Sequence, residues 1–210
     1  MTDLFWPGDD LAGDLMSGAA FLEAMVAVEG GAWLDSLVDA GIAPQEARAS
    51  LADLIADADT ESIARRAATN GSPPVSALVM LLRERSTAAT ARWLHRGLTS
   101  QDVVDTALVI CARDVLLRIG GEFALQVRGG LSELAERHRS TPTLARTLTQ
   151  AALPSTLGAK MARWLTGILD AAEPLNGLLP SLPVQVGGGA VGTLAAATEL
   201  TGSVDGAIAL

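Results

Sequence analysis

Apolar residues recur at spacings of three and four along most of the chain, which is the period of a helix with one buried face. Ser17 stands as an N-cap before Phe21, Leu22, Met25, Val28, Trp33, Leu34 and Leu37, and Gly41 follows as a closing glycine. Pro44 predicts the first turn of a second helix through Leu51, Leu54 and Ile55, and Thr60 a cap for a short helix through Ile63. Asn70-Gly71-Ser72-Pro73-Pro74 is a strong turn, and a further helix carries Val75, Leu78, Val79, Leu81 and Leu82. Residues 1–98 thus read as a small helical domain.

Residues 99–210 read as a second domain. From Ser100 to His138 there is no proline, and Val104, Leu108, Cys111, Val115, Ile119, Phe123, Val127, Leu131 and Leu134 keep a helical stripe. One continuous helix of that length spans roughly 55 Å, weakened at Gly120-Gly121 and Gly129-Gly130. A loop with Pro142 follows, then a helix from about Pro154 to Leu169 or beyond. A glycine loop at Gly187-Gly188-Gly189 and a last helix from near Val191 complete the pattern. The one stretch with any strand alternation is Pro183 to Val186. The expected fold class is all-α. Two long helices cannot close a bundle alone, so their apolar faces need more chain or other subunits. The chain stops at Ala209-Leu210 with neither cap nor polar tail, and reads as an incomplete domain.

Composition narrows the partners. With 49% hydrophobic residues, 3% aromatics and no Tyr, the core is one of Ala, Leu and Val, suited to close helix packing. The net charge is −9, which disfavours nucleic acid as a partner. The cations are 14 Arg and one Lys, Lys160, so anions must be met by local arginines and backbone N–H groups. No targeting signal is present, and the single Cys111 fits a reducing cytoplasm. The uncharged stretch Pro174–Thr198 is broken by Pro180, Pro183 and three glycines, so no membrane span is expected. Two histidines and one cysteine, far apart, form no metal-ligand cluster.

Three segments carry candidate chemistry. In His95-Arg96-Gly97-Leu98-Thr99-Ser100-Gln101-Asp102, small polar residues precede the long helix. Thr99 or Ser100 can cap it, and hydroxyls, the Gln101 amide and a helix N-terminus together suit a carboxylate, with His95 as a titratable neighbour. The same spacing also fits an ordinary cap with a surface histidine. Arg146-Thr147-Leu148-Thr149-Gln150 offers an Arg clamp with orienting donors, or a plain polar loop. The loop Gln185–Thr193 can present N–H groups to an anion, or serve as a turn; it is neither a P-loop nor a dinucleotide fingerprint. Cys111 and His138 read as structural.

These segments, in this order on long helices, resemble the fumarase/aspartase superfamily, above all its 3-carboxy-cis,cis-muconate cycloisomerase branch, with the adenylosuccinate lyases next. The matching stretches are FLEAMVAVE (21–29), NGSPPVSALV (70–79), HRGLTSQDVVDTAL (95–108), RTLTQAALPSTLGAK (146–160) and GGGAVGTLAA (187–196). Most of the lyases carry a His where this chain has Leu148, a departure shared by bacterial cycloisomerases; Leu148 is therefore expected to make an apolar contact. The family's mobile loop with its catalytic Ser is absent, so the chain is expected to be the N-terminal half or so of the enzyme, inactive alone.

The resemblance implies a cytoplasmic homotetramer with active sites shared between subunits, and no cofactor. It implies intramolecular addition of a carboxylate across a double bond of a tricarboxylate substrate, giving 4-carboxymuconolactone in aromatic catabolism. Thr99, Ser100 and Gln101 match its carboxylate-binding turn, and His95 its active-site histidine. Arg146 and Gln150 match positions lining the site from a neighbouring subunit, and Gly188 belongs to the loop that backs the pocket. The alternatives are a lyase releasing fumarate and an inactive helical assembly fragment.

Overall fold

The computed structural model describes residues 13–182 and 188–210. Contacts divide the chain into two compact units, Met1–Ala112 with Pro183–Leu210, and Arg113–Leu182. Helices dominate both, as the all-α expectation requires.

In the first unit, α1 (Gly18–Ala27) passes through a π-helical segment (Val28–Leu34) into α2 (Asp35–Asp39). Ser17 accepts from the Ala20 N–H at 3.1 Å, satisfying one orphan amide of the first turn. At the far end Gly41 takes φ +71°, and the Ile42 and Gly41 N–H groups bond the Leu37 and Val38 carbonyls. This is the Schellman closure that a glycine there permits. Helix α3 (Asp59–Asn70) ends on Gly71 at φ +59°, and α4 (Pro74–Arg85) begins with proline at its first position. A short α5 (Ala88–Trp93) leads to the candidate segment and then to α6 (Ser100–Gln126). Leu34, Leu37, Leu78, Leu82, Leu94 and Val103 are fully buried and form the centre of the core, and Cys111 packs against its edge.

The segment after Pro44 differs from expectation. Instead of a helix through Ile55 there are two 3-10 turns, Gln45–Ala47 and Leu51–Leu54, separated by extended backbone at Arg48 and Ser50. Burial of Ala47 and Leu51 and ion pairs from Arg48 to Asp35 and Asp39 hold the irregular path instead.

Asp59 anchors the next turn. Arg85 Nη1 and Nη2 meet its two carboxylate oxygens at 2.5 and 2.9 Å, and the Ala56 N–H donates to Oδ2 at 2.8 Å. The Arg85 guanidinium, and secondarily the Ala56 amide, hold this carboxyl below its ordinary range. A depressed native pKa contributes stability above the unfolded value of about 3.9 that is lost as pH falls through the native one. Asp59→Asn should therefore flatten the loss of stability below about pH 4, measured by urea melts at acid and neutral pH. An unchanged acid slope would contradict this assignment.

The helical stripe that starts at Ser100 in the first unit continues through the second almost to His138, as the spacing predicts. A second π-helical segment (Val127–Leu131) containing Gly129 and Gly130 interrupts it before α7 (Ser132–Arg137). The expected loop at Pro142 is instead an antiparallel hairpin, β1 (Pro142–Thr147) and β2 (Gln150–Thr156). Pro154 pairs with Leu144 inside β2, so α8 (Leu157–Leu178) begins three residues later than expected, capped by Thr156. Both strands are edges of a two-stranded sheet, where proline is tolerated. Met161 is buried, whereas Leu117, Ile119, Leu125, Trp164, Leu169 and Leu178 remain exposed, so this unit leaves apolar stripes uncovered. Back in the first unit, the last helices are α9 (Ala195–Thr201) and α10 (Val204–Ala209). Helix α9 starts four residues after Val191. The Pro183–Val186 strand expectation and Gly187 lie outside the described residues.

Candidate active site

Thr99 is the cap of α6, and Asp102 is the residue that fixes it. Asp102 Oδ2 accepts from the Thr99 N–H and Oγ1–H, both at 2.8 Å, and the Asp102 N–H reaches back to Thr99 Oγ1 at 3.4 Å. This is a reciprocal capping box with a carboxylate at the third position. The same oxygen accepts from the Gly189 N–H at 3.3 Å. The glycine loop is thereby tied to the cap, but its Gly189 amide serves an internal carboxylate rather than an open anion site. Gly189 (φ +74°) and Gly192 (φ +71°) allow the loop to turn, and the buried Gly188 accepts from the Leu194 N–H at 3.2 Å. Helix geometry leaves the Ser100 and Gln101 N–H groups without intrahelical partners. The Gln101 amide donates to Asp105 Oδ1 at 2.6 Å on the exposed face, so its side chain is engaged along the helix.

His95 has left-handed backbone, φ +60°. Its Nδ1 lies 2.6 Å from Oε1 of Glu29, a fully buried carboxylate of the π-helical segment. On either side the backbone is held: Arg83 donates to the Leu94 carbonyl and Trp33 Nε1 to that of Arg96, both at 2.8 Å. Gly97 (φ +88°) lies under Trp33 and Leu200, where a side chain has no room. Arg96 stacks on Trp93 at 4.8 Å.

The structure brings His95, Thr99, Ser100, Gln101 and Gly188 into one unit, while Arg146 and Gln150 belong to the other. Both lie at the hairpin tip, where Arg146 Nη1 donates to the Thr149 carbonyl at 3.2 Å and Gln150 pairs with Thr147. Leu148 and Thr149 form the two-residue turn with φ +41° and +69°. Leu148 is 95% exposed, so within this chain the expected apolar contact is not made. Its side chain points to solvent because the turn, not a core, fixes its backbone. Leu148→Ala should change thermal stability of this chain by less than about 0.5 kcal/mol; a loss of 2 kcal/mol or more would contradict its exposure.

Sequence reasoning missed Glu29 and the role of Asp102. Glu29 had a visible signal, a carboxylate on the apolar stripe between Met25 and Trp33. Asp102 stands three residues after Thr99, the spacing of a capping box. Among the described residues, no group of three or more His, Cys, Asp or Glu side chains is placed to hold a metal ion. No helix among them is long and apolar enough to cross a membrane. A groove of about 720 Å³ runs between Leu22 and Val26 of α1 and Leu51 and Ile55, and none of the candidate residues lines it.

Comparison with known proteins gives the family and the fold. A family model described as Lyase matches residues 45–201. Nitrosuccinate lyase of Streptomyces davaonensis is 36% identical over 88% of this chain and 39% of its own length. The 3-carboxy-cis,cis-muconate cycloisomerase of Pseudomonas aeruginosa is 37% identical over 80% of this chain and 36% of its own. The crystal structure of fumarate lyase from Mesorhizobium sp. BNC1 superposes with a TM-score of 0.76 at 34% identity, covering 90% of this chain and 44% of that one. The chain therefore spans less than half the length of these relatives. With the helical fold, the capped turn after His95 and a family match over most of its length, the chain belongs to the lyase family of the fumarase/aspartase superfamily.

Proposed function

We propose that this chain supplies the carboxylate-binding turn of a cytoplasmic cycloisomerase that converts 3-carboxy-cis,cis-muconate to 4-carboxymuconolactone in the breakdown of aromatic compounds. In this reading residues 1–98 form a helical domain and 99–210 the first part of a central bundle. The observation that carries it is the Asp102 clamp, which keeps Thr99 fixed while the Ser100 hydroxyl and the Ser100 and Gln101 amides stand together at the positive end of α6. Such preorganised donors stabilise charge on a substrate carboxylate without reorganising during the reaction. His95 then supplies a hydrogen-bonding group, and Gly188 backs the pocket. Arg146 and Gln150 come from a neighbouring subunit of a homotetramer, a role suited to a hairpin tip that projects beyond its own unit's core. The uncovered stripes of α6 and α8 are the surfaces such an assembly would bury. The carboxylate oxygen adds within the substrate across the double bond, the neighbouring carbon takes up one proton from an acid of the enzyme or from solvent, and the step needs no cofactor.

Similarity to a nitrosuccinate lyase over 88% of the chain favours a second reading, elimination from a succinyl-type substrate. One experiment separates them. The protein carrying this chain is given 3-carboxy-cis,cis-muconate and, separately, a succinyl adduct. Loss of muconate absorbance with lactone formation supports cycloisomerisation; fumarate release without lactone supports the lyase; neither product overturns both.

A further inference from the structure

Glu29 occupies a position where the helical stripe calls for an apolar side chain, between Met25 and Trp33, and it is wholly buried. A carboxylate there carries a desolvation cost that only a specific partner offsets. The partner is His95 Nδ1, at 2.6 Å, and the other oxygen, Oε2, is buried without one. Among the described residues His95 Nε2 has no partner, and the histidine side chain keeps 19% of its surface exposed. The left-handed backbone at His95 is unfavourable for a residue with a Cβ. It is held by the Arg83 and Trp33 bonds to the carbonyls on either side. Glu29 and Trp33 of the π-helical segment and Arg83 of α4 thus hold the imidazole and the backbone on either side of it, a degree of constraint that core packing of a histidine does not require.

We propose that Glu29 is a positioning residue for His95: it accepts the Nδ1 proton, fixes that tautomer, and leaves Nε2 as the acceptor offered to a ligand's donor. The inference rests on the reading of His95 as a site residue, but its test does not depend on turnover. In the protein labelled with ¹⁵N-histidine each histidine gives one set of ring signals, and His95→Gln and His138→Gln assign those of the two histidines of this chain. At about pH 8, above the ordinary titration range of imidazole, His95 in the parent protein should carry its proton on Nδ1 with Nε2 unprotonated. Glu29→Leu fills the same space, removes the acceptor, and should move the proton to Nε2, the tautomer that free imidazole side chains favour. His138 should not change. A parent His95 protonated at Nε2, alone or at both nitrogens, overturns the proposal even if the variant does not fold. A folded Glu29→Leu protein with an unchanged His95 tautomer overturns it as well. Loss of the function reading would instead show as absent turnover with the tautomer shift intact.

Discussion

Gly158→Ala should destabilise the second unit by about 3 kcal/mol, the upper part of the range for forced overpacking. Gly158 is the second residue of α8, and its N–H donates to the His138 carbonyl at 2.9 Å. A Cβ there would lie 2.5 Å from the Ala135 carbonyl oxygen, 2.6 Å from Arg139 Cα and 2.7 Å from its nitrogen. All three are backbone atoms in the last turn of α7 or just after it, so no side chain can rotate away. Relief requires α7 and α8 to part, which breaks the hydrogen bond and uncovers Met161, among the few buried apolar side chains of this unit. Gly167→Ala in the same helix is the control: nothing stands within 4 Å of its Cβ position, and the lost unfolded-state entropy should make the protein slightly more stable. Amide hydrogen exchange across α7 and α8 would show the difference. Equal protection in both variants would contradict the packing described.

Asp102→Ala should cost about 2–3 kcal/mol. One oxygen accepts three hydrogen bonds, from the Thr99 amide, the Thr99 hydroxyl and the Gly189 amide. Removing it leaves the half-buried Thr99 amide without its partner and cuts the tie between α6 and the glycine loop. Asp102→Asn keeps one acceptor oxygen and should recover about half of the loss. Asp105→Ala, three residues on, gives up only the exposed contact with Gln101 and should stay within about 0.5 kcal/mol of the parent. Faster exchange of the Thr99 and Gly189 amides in Asp102→Ala would locate the effect. A loss no larger than that of Asp105→Ala would mean that the clamp does not hold in solution.

Much of this fold is legible in the order of residues, because helices advertise themselves locally. Ser17, the stripe to Leu37 and Gly41 mark one helical run, and the long stripe from Ser100 marks another. The hairpin at 142–156 was hidden for the opposite reason. Its strands are exposed on most positions, so no alternation of apolar and polar residues is needed to bury a face. Its turn is Leu148-Thr149, which lacks the Asn-Gly or Asp-Gly chemistry that usually announces positive φ at both positions. Pro154 also imitates a helix start while lying in an edge strand. The π-helical segments left only faint traces, the five-residue step from Val28 to Trp33 in the first and the weak point at Gly129-Gly130 in the second. For the site, the capped turn was readable as a local motif. The His95–Glu29 contact was not, since 66 residues separate its partners and only folding brings them together. Neither local period nor cap chemistry indicates which buried carboxylate a distant histidine will meet.

The central claim is that the turn opening α6 holds a substrate carboxylate. Turnover of the Thr99→Ala plus Ser100→Ala variant, in the protein that carries this chain, tests it most directly. With the Asp102 bond to the Gly189 amide retained, the variant should fold, while the loss of the Ser100 hydroxyl donor, and of the Thr99 hydroxyl that fixes the turn through Asp102, should raise the transition-state barrier by about 2–4 kcal/mol, a fall in turnover of roughly 30- to 1,000-fold. Kinetics within about threefold of the parent would leave the turn as a helix cap and nothing more.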